Sequence, residues 1–239
     1  MAKSTKTIKA QQPNSTTTSE TIYDSPDLLS LKLQETSRKY RKVFFIVLGV
    51  IAVVALAYIG FNYYLEQQEK EAQEEMFAAQ YYIEADSLKK ALNGDGNRLG
   101  FKQIIQDYPW TKAANLARFY VGVIYLKEGK FEEAIENLRK FSSNDLLLQG
   151  RAYALLGDAH MELKKYNEAI KYYKKAADYK PNKYHTPIYL MKLALSYEQA
   201  KKYEAAILTY EKLIKNYPNS SDYVNAKKYK AYLEQITGK

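Results

Sequence analysis

The sequence predicts an all-α protein, with a single N-terminal transmembrane helix followed by an α-solenoid of about four helical hairpins and a C-terminal capping helix. Two observations carry that prediction. Residues Val43–Leu65 form 23 consecutive positions without a charge. Beyond them, small and aromatic residues recur at steps of 37, 35 and 37.

Residues 1–22 are rich in Thr, Ser, Lys and Gln and poor in apolar groups, so they are expected to be disordered. Ser25-Pro26-Asp27 reads as a helix start, with serine capping and proline in the first turn. Leu28, Leu29, Leu31 and Leu33 follow. A short amphipathic helix over 26–40 on the inner leaflet and a floppy tether are equal readings of them. The tail is thus 1–42, and 43–65 is the segment that meets the lipid bilayer. As a helix it would extend about 34 Å at 1.5 Å per residue, against roughly 30 Å of hydrocarbon. A core helix is seldom apolar all round over that length.

Charge sets the expected direction. Lys32, Arg38, Lys39, Arg41 and Lys42 precede the run, and Glu66, Glu69, Glu71, Glu74 and Glu75 follow it. Positive charge stays inside, so the N-terminus is expected in the cytoplasm and the large domain outside. Ala55-Leu56-Ala57 resembles a cleavage site. However, 42 residues precede the run and it continues past Ala57, so the chain is expected to stay anchored. The polar stretch EQQEKEAQEE opens 66–92, expected to be a solvated helical stalk leading into the first repeat helix.

The repeats and cap occupy 93–239. Ala85, Gly122, Gly157 and Ala194 align as the small residue of each first helix. Asn97, Ala134, Ala169 and Ala206 follow twelve positions later, then Phe101, Leu138, Tyr173 and Tyr210 four beyond those. Hairpin turns are expected at Asn93-Gly94-Asp95-Gly96, Glu128-Gly129-Lys130, Lys164-Lys165 and Lys201-Lys202. Pro109, Pro181 and Pro218 close the first, third and fourth units. Small residues let two helices approach, and aromatics fill the gap between hairpins. This grammar resembles the tetratricopeptide (TPR) family. It is fullest in the third unit, at Tyr153, Leu156, Gly157, Ala169, Tyr173, Ala176 and Pro181. Asp222–Ile236 has first-helix spacing with Lys227, Lys228 and Lys230 on exposed positions, as a solubilising cap would.

Composition excludes some function classes. With no cysteine there is no disulfide, thiolate metal site or lipidated cysteine. The charge of +9 divides into +4 over 1–42 and +5 over 66–239, so nucleic-acid binding does not follow from it. No phosphate loop, metal-ligand spacing or nucleophile beside a base is present, so neither an enzyme, a cofactor nor a small-molecule substrate is expected. Asn93-Gly94-Asp95-Gly96 lacks the acidic spacing of a calcium loop. His160 falls where such repeats place an inter-helix aromatic and is expected to be packed. His185 is expected to cap a helix or lie at the surface.

In stacked repeats of this kind the first helices line a concave face on which peptides bind. The register nominates Asn115, Arg118 and Phe119 in the second unit as partner-binding residues. Arg151, Asp158 and Glu162 follow in the third, and Met191, Glu198 and Gln199 in the fourth. The layout over roughly 40–235 also resembles the YfgM family of ancillary subunits of the SecYEG translocon. The resemblance rests on Gly100–Leu138, above all Tyr108 and Thr111-Lys112-Ala113-Ala114-Asn115-Leu116-Ala117. It implies a bacterial inner-membrane, single-pass protein with a periplasmic domain, whose partners are SecYEG and a PpiD-like periplasmic chaperone or emerging chains. The alternative is a generic envelope scaffold for outer-membrane assembly, secretion or division.

Overall fold

The computed structural model describes residues 26–238, with side chains from Lys39 onward. The tail expected over 1–22 and the cap at Ser25 lie outside the described residues, as do the side chains of Leu28, Leu29, Leu31 and Leu33. Among the described residues there are ten α-helices and no strand. The chain divides into two units, Met1–Ile59 and Gly60–Lys239. The helix α1 (Pro26–Glu84) contributes to both.

In the first unit, α1 is the one helix among the described residues long and apolar enough to cross a membrane. Its side chains from Val43 to Ile59 are exposed all round, whereas a core helix of that composition would be covered.

The second unit is built from hairpins. The end of α1 is followed by the short α2 (Leu88–Asn93) and by α3 (Phe101–Asp107). Then come α4 (Lys112–Lys127) with α5 (Phe131–Lys140), and α6 (Leu148–Glu162) with α7 (Tyr166–Asp178). The fourth hairpin is α8 (Thr186–Gln199) with α9 (Tyr203–Asn216), and α10 (Tyr223–Thr237) closes the stack.

Close approach explains the period. A Cβ on Gly157 would stand 2.5 Å from the Tyr173 ring, and one on Gly122 would stand 2.5 Å from Leu138 Cγ. Neither space exists for a side chain, so each hairpin is as tight as its glycine permits. Ala194 and Tyr210, both fully buried, repeat the arrangement in the fourth hairpin. The turns repeat as well. Gly129, Lys164 and Lys201 take left-handed backbone, with φ of 73°, 56° and 58°, at the same place after each first helix. Two of these three are lysines, which adopt that conformation at a cost that glycine avoids.

The first hairpin departs from the predicted register. Ala85 lies in the turn after α1, not inside a helix, and the small buried residue there is Ala79. Asn97 lies in the bend before α3. The position three residues into the second helix, held by Ala134, Ala169 and Ala206, falls to Ile104, 30 residues before Ala134. The step of 37 misled because α2 and a glycine loop are inserted between the paired helices. Nor is 66–75 a free stalk from Glu69 onward. Ala72 and Met76 are buried with Phe101, Ile104 and Ala113 in the first core cluster. Two further clusters continue through Phe119, Leu138, Phe141 and Leu156, and then from Tyr173 and Leu190 to Leu233.

Candidate functional site

The first helices of the hairpins pack side by side and point the same way. Near its start α4 donates its Lys112 N–H to Glu69 Oε2 (2.6 Å), and at its middle Tyr120 Oη accepts from Gln80 Nε2 (3.3 Å). Pairing 69 with 112 and 80 with 120 makes α1 and α4 parallel. The same holds further on, where Gly150 of α6 faces the Tyr189 ring of α8 and Asp158 meets Lys192 at 2.6 Å.

Between α1 and α4 lies a groove of about 330 Å³, floored by Met76, Ala113 and Leu116 and flanked by Gln73, Phe77 and Gln80. Glu69 and Lys112 close one end. Phe77 is 76% exposed and Tyr81, one turn on, is also exposed, so an aromatic stripe stands beside the groove without cover. Apolar surface flanked by amide side chains takes an apolar residue of a peptide while its backbone finds hydrogen bonds.

The nine nominated residues separate by what they already hold. Phe119 and Met191 are buried; Phe119 packs on Phe141 with ring centres 5.2 Å apart, so neither lines an open face. Asn115 clamps the loop after α5, donating to Ser142 O (2.8 Å) and accepting Ser142 N–H (3.2 Å). Asp158 accepts from the Tyr173 hydroxyl (2.7 Å) and from Lys192. Glu198 accepts from the Tyr210 hydroxyl. Burial, then the adjacent carboxylate, pushes both tyrosine hydroxyls far above their ordinary range, so they remain donors. Arg118 is half-buried, while Arg151, Glu162 and Gln199 are exposed and face solvent. The groove residues on α1 were missed because EQQEKEAQEE, just before Met76 and Phe77, reads as a solvated stalk leading into the first repeat helix. The signal was Ala72, Met76 and Ala79 at helical spacing.

His160 is packed as expected, stacked on Tyr172 with ring centres 5.3 Å apart and 8° between planes. Burial lowers its pKa, and its Nδ1 has no hydrogen-bond partner among the described residues. His185 stands at the N-cap of α8, half-buried and stacked on Tyr189, with no side-chain capping bond. At the opposite edge, the turns of the third and fourth hairpins enclose a second opening of about 520 Å³. Lys164, Lys165, Lys201 and Lys202 line it, and Lys202 donates to Asn167 Oδ1 (2.8 Å).

A family described as tetratricopeptide repeat matches residues 122–184 and again 154–221. A second, described as tetratricopeptide repeat-like domain, matches 39–146. No curated protein matches the sequence. Among solved structures, the MamA protein is similar with a TM-score of 0.56 at 21% identity, over 70% of this chain and 82% of that one. A Podosopora anserina kinesin-light-chain protein with nearly identical TPR-like repeats gives 0.55 at 13% identity, over 71% and 88%. At these identities the likeness speaks for the fold alone.

Proposed function

We propose that this chain is a membrane-anchored capture protein, an interaction scaffold built on the hairpins that the tetratricopeptide-repeat families match. Its partners are peptides held along the groove between α1 and α4. The observation that carries the reading is Phe77, a large aromatic left 76% exposed beside an apolar groove. The anchor is the uncharged run Val43–Leu65, and the basic flank before it supports an N-terminus in the cytoplasm. Arg118, Arg151, Glu162 and Gln199 extend the partner face beyond the groove. Asn115, Phe119, Asp158, Met191 and Glu198 support it from within.

The finer assignment follows from resemblance: an inner-membrane accessory of the SecYEG translocon that holds a PpiD-like chaperone or emerging chains outside the cytoplasm. A generic envelope scaffold is the competing assignment. A photo-crosslinking residue at Phe77, with the exposed Leu208 of α9 as control, tests both levels. Crosslinks to a discrete partner from 77 and none from 208 are expected. Equal labelling from both positions would remove the groove from the account. If the captured protein is neither a translocon subunit nor a chaperone, the capture reading stands and the translocon assignment falls.

A further inference from the structure

We propose that the edge of the repeat unit formed by its inter-hairpin loops is a lipid-contact surface, which seats Trp110, Leu146, Leu147 and Tyr184 in the headgroup layer of an anionic bilayer. Consecutive helices run antiparallel, so the connections fall on two opposite edges. One edge holds the turns inside hairpins, 128–130, 163–165 and 200–202. The other holds the loops between hairpins, 108–111, 141–147, 179–185 and 217–222.

The two edges differ in kind. None of the large apolar side chains exposed in the described residues lies in the turns inside hairpins, where Lys130, Lys164, Lys165, Lys201 and Lys202 stand instead. The first three inter-hairpin loops each present at least one: Trp110 at 76% exposure, Leu146 with Leu147, and Tyr184 at 69%. Val224, at the start of α10, does the same for the fourth. Those on helix faces, such as Leu208 and Tyr232, stand singly and need no explanation, but the contrast between the two edges does.

The loops are also neighbours. Asn115 holds Ser142, the Tyr179 hydroxyl donates to Ser143 O (3.2 Å), and Lys180 Nζ donates to Asn144 O (2.5 Å). Trp110, the leucine pair and Tyr184 therefore belong to one strip. Lysines accompany them, and Lys183 Nζ stands 5.1 Å from the Tyr184 ring centre. Tryptophan, tyrosine and lysine together are the composition of a membrane interface.

The occupant follows from the direction of α1. Since α1 and α4 are parallel, the α1 residues before Glu69 leave the repeats at this same edge. Among them are Phe61, Tyr63 and Tyr64, all exposed, which belong to the uncharged run ending at Leu65. The medium that accepts Phe61, Tyr63 and Tyr64, which belong to this same unit, is the one the strip meets. The inference therefore rests on the membrane reading of Val43–Leu65.

Trp110 is the only tryptophan in the chain and is its own probe. The full chain is reconstituted into vesicles containing phosphatidylglycerol, with and without bromine on the acyl chains. Flotation with the vesicles establishes the anchor separately. Brominated lipid is expected to quench Trp110 at least about twofold, as for an interfacial tryptophan. Leu146→Glu, Leu147→Glu and Tyr184→Glu together should remove most of that quenching. Flotation with Trp110 open to acrylamide and unquenched by bromine overturns the edge proposal and leaves the anchor standing. Blue-shifted emission without bromine quenching means that protein covers the strip, and also overturns it. Failure to float overturns both.

Discussion

The third hairpin turns over residues 163–165, while the first spends 85–100 between its paired helices, yet both bury the same kind of seam. In the third, apolar fit does the work. Gly157 admits the Tyr173 ring, and Ala169 and Ala176 are fully buried against the neighbouring helices. In the first, carboxylates hold the backbone in place. Glu75 Oε2 accepts the Leu99 N–H (2.9 Å) and its Oε1 meets Arg98 at 3.1 Å, while Glu69 takes the first free N–H of α4. Asp95 accepts from the Tyr82 hydroxyl and from the amides of Arg98 and Asn97, which hold its carboxyl down at about 2. The lesson is that a divergent repeat exchanges close helix contact for polar ties across its longer connection.

The largest effect should come from closing the space at Gly157. Leucine there must displace a ring that already stands 2.5 Å from where its Cβ would be. Gly157→Leu is expected to cost about 3 kcal/mol, the upper end for overpacking, read as a lowered urea midpoint. A loss below roughly 1 kcal/mol would mean that the third hairpin does not depend on close approach.

In the first hairpin the matching experiment removes a polar tie. Glu75→Ala leaves the half-buried Leu99 N–H without its acceptor and should cost about 1–2 kcal/mol. Glu75→Gln keeps an oxygen in place and should recover more than half of that loss. If alanine and glutamine behave alike, the apolar cluster around Phe101 and Ile104 carries the first hairpin unaided.

These two hairpins were not equally legible in the sequence. Glycine, alanine and tyrosine at fixed spacing are a packing code, so the third and fourth hairpins and their turns could be placed residue by residue. Polar ties have no period. Nothing about Glu69 and Glu75 distinguishes them from Glu71 and Glu74 until the chain folds back and supplies Lys112 and Leu99. That is why 66–75 reads as stalk, while the inserted α2 and glycine loop are why Ala85 and Asn97 align with positions they do not occupy. The partner face suffered in the same way. A repeat register shows which helix faces the groove, but not that Asp158 and Glu198 are taken by tyrosines from the second helices.

A smaller effect separates the regions by pH. His160 packs on Tyr172 and has Glu168, Lys165, Arg139 and Lys171 as its charged surroundings. Burial lowers its pKa below the ordinary 6.5, so in the window between the two values the unfolded chain binds more proton. Stability there must rise with pH. The loss begins as pH falls through about 6.5 and stops growing below the folded value. His160→Phe keeps the ring contact and should flatten that slope. An unchanged slope would place the sensitivity elsewhere.

The smallest predicted effect has the opposite sign and lies in the same helix as the largest. Gly150 is the third residue of α6, where a Cβ would meet the Tyr189 ring at 3.5 Å and Tyr179 at 3.9 Å, both ordinary contacts. Gly150→Ala removes the entropy that glycine loses on entering a helix and should stabilise by about 0.5–1 kcal/mol. Gly157→Ala brings the same gain in propensity but sets a methyl 2.5 Å from Tyr173, so it should destabilise. Two identical substitutions seven residues apart thus separate helix propensity from close approach. If both stabilise, the Tyr173 ring has room to retreat, and the tightness of the third hairpin is a preference rather than a requirement.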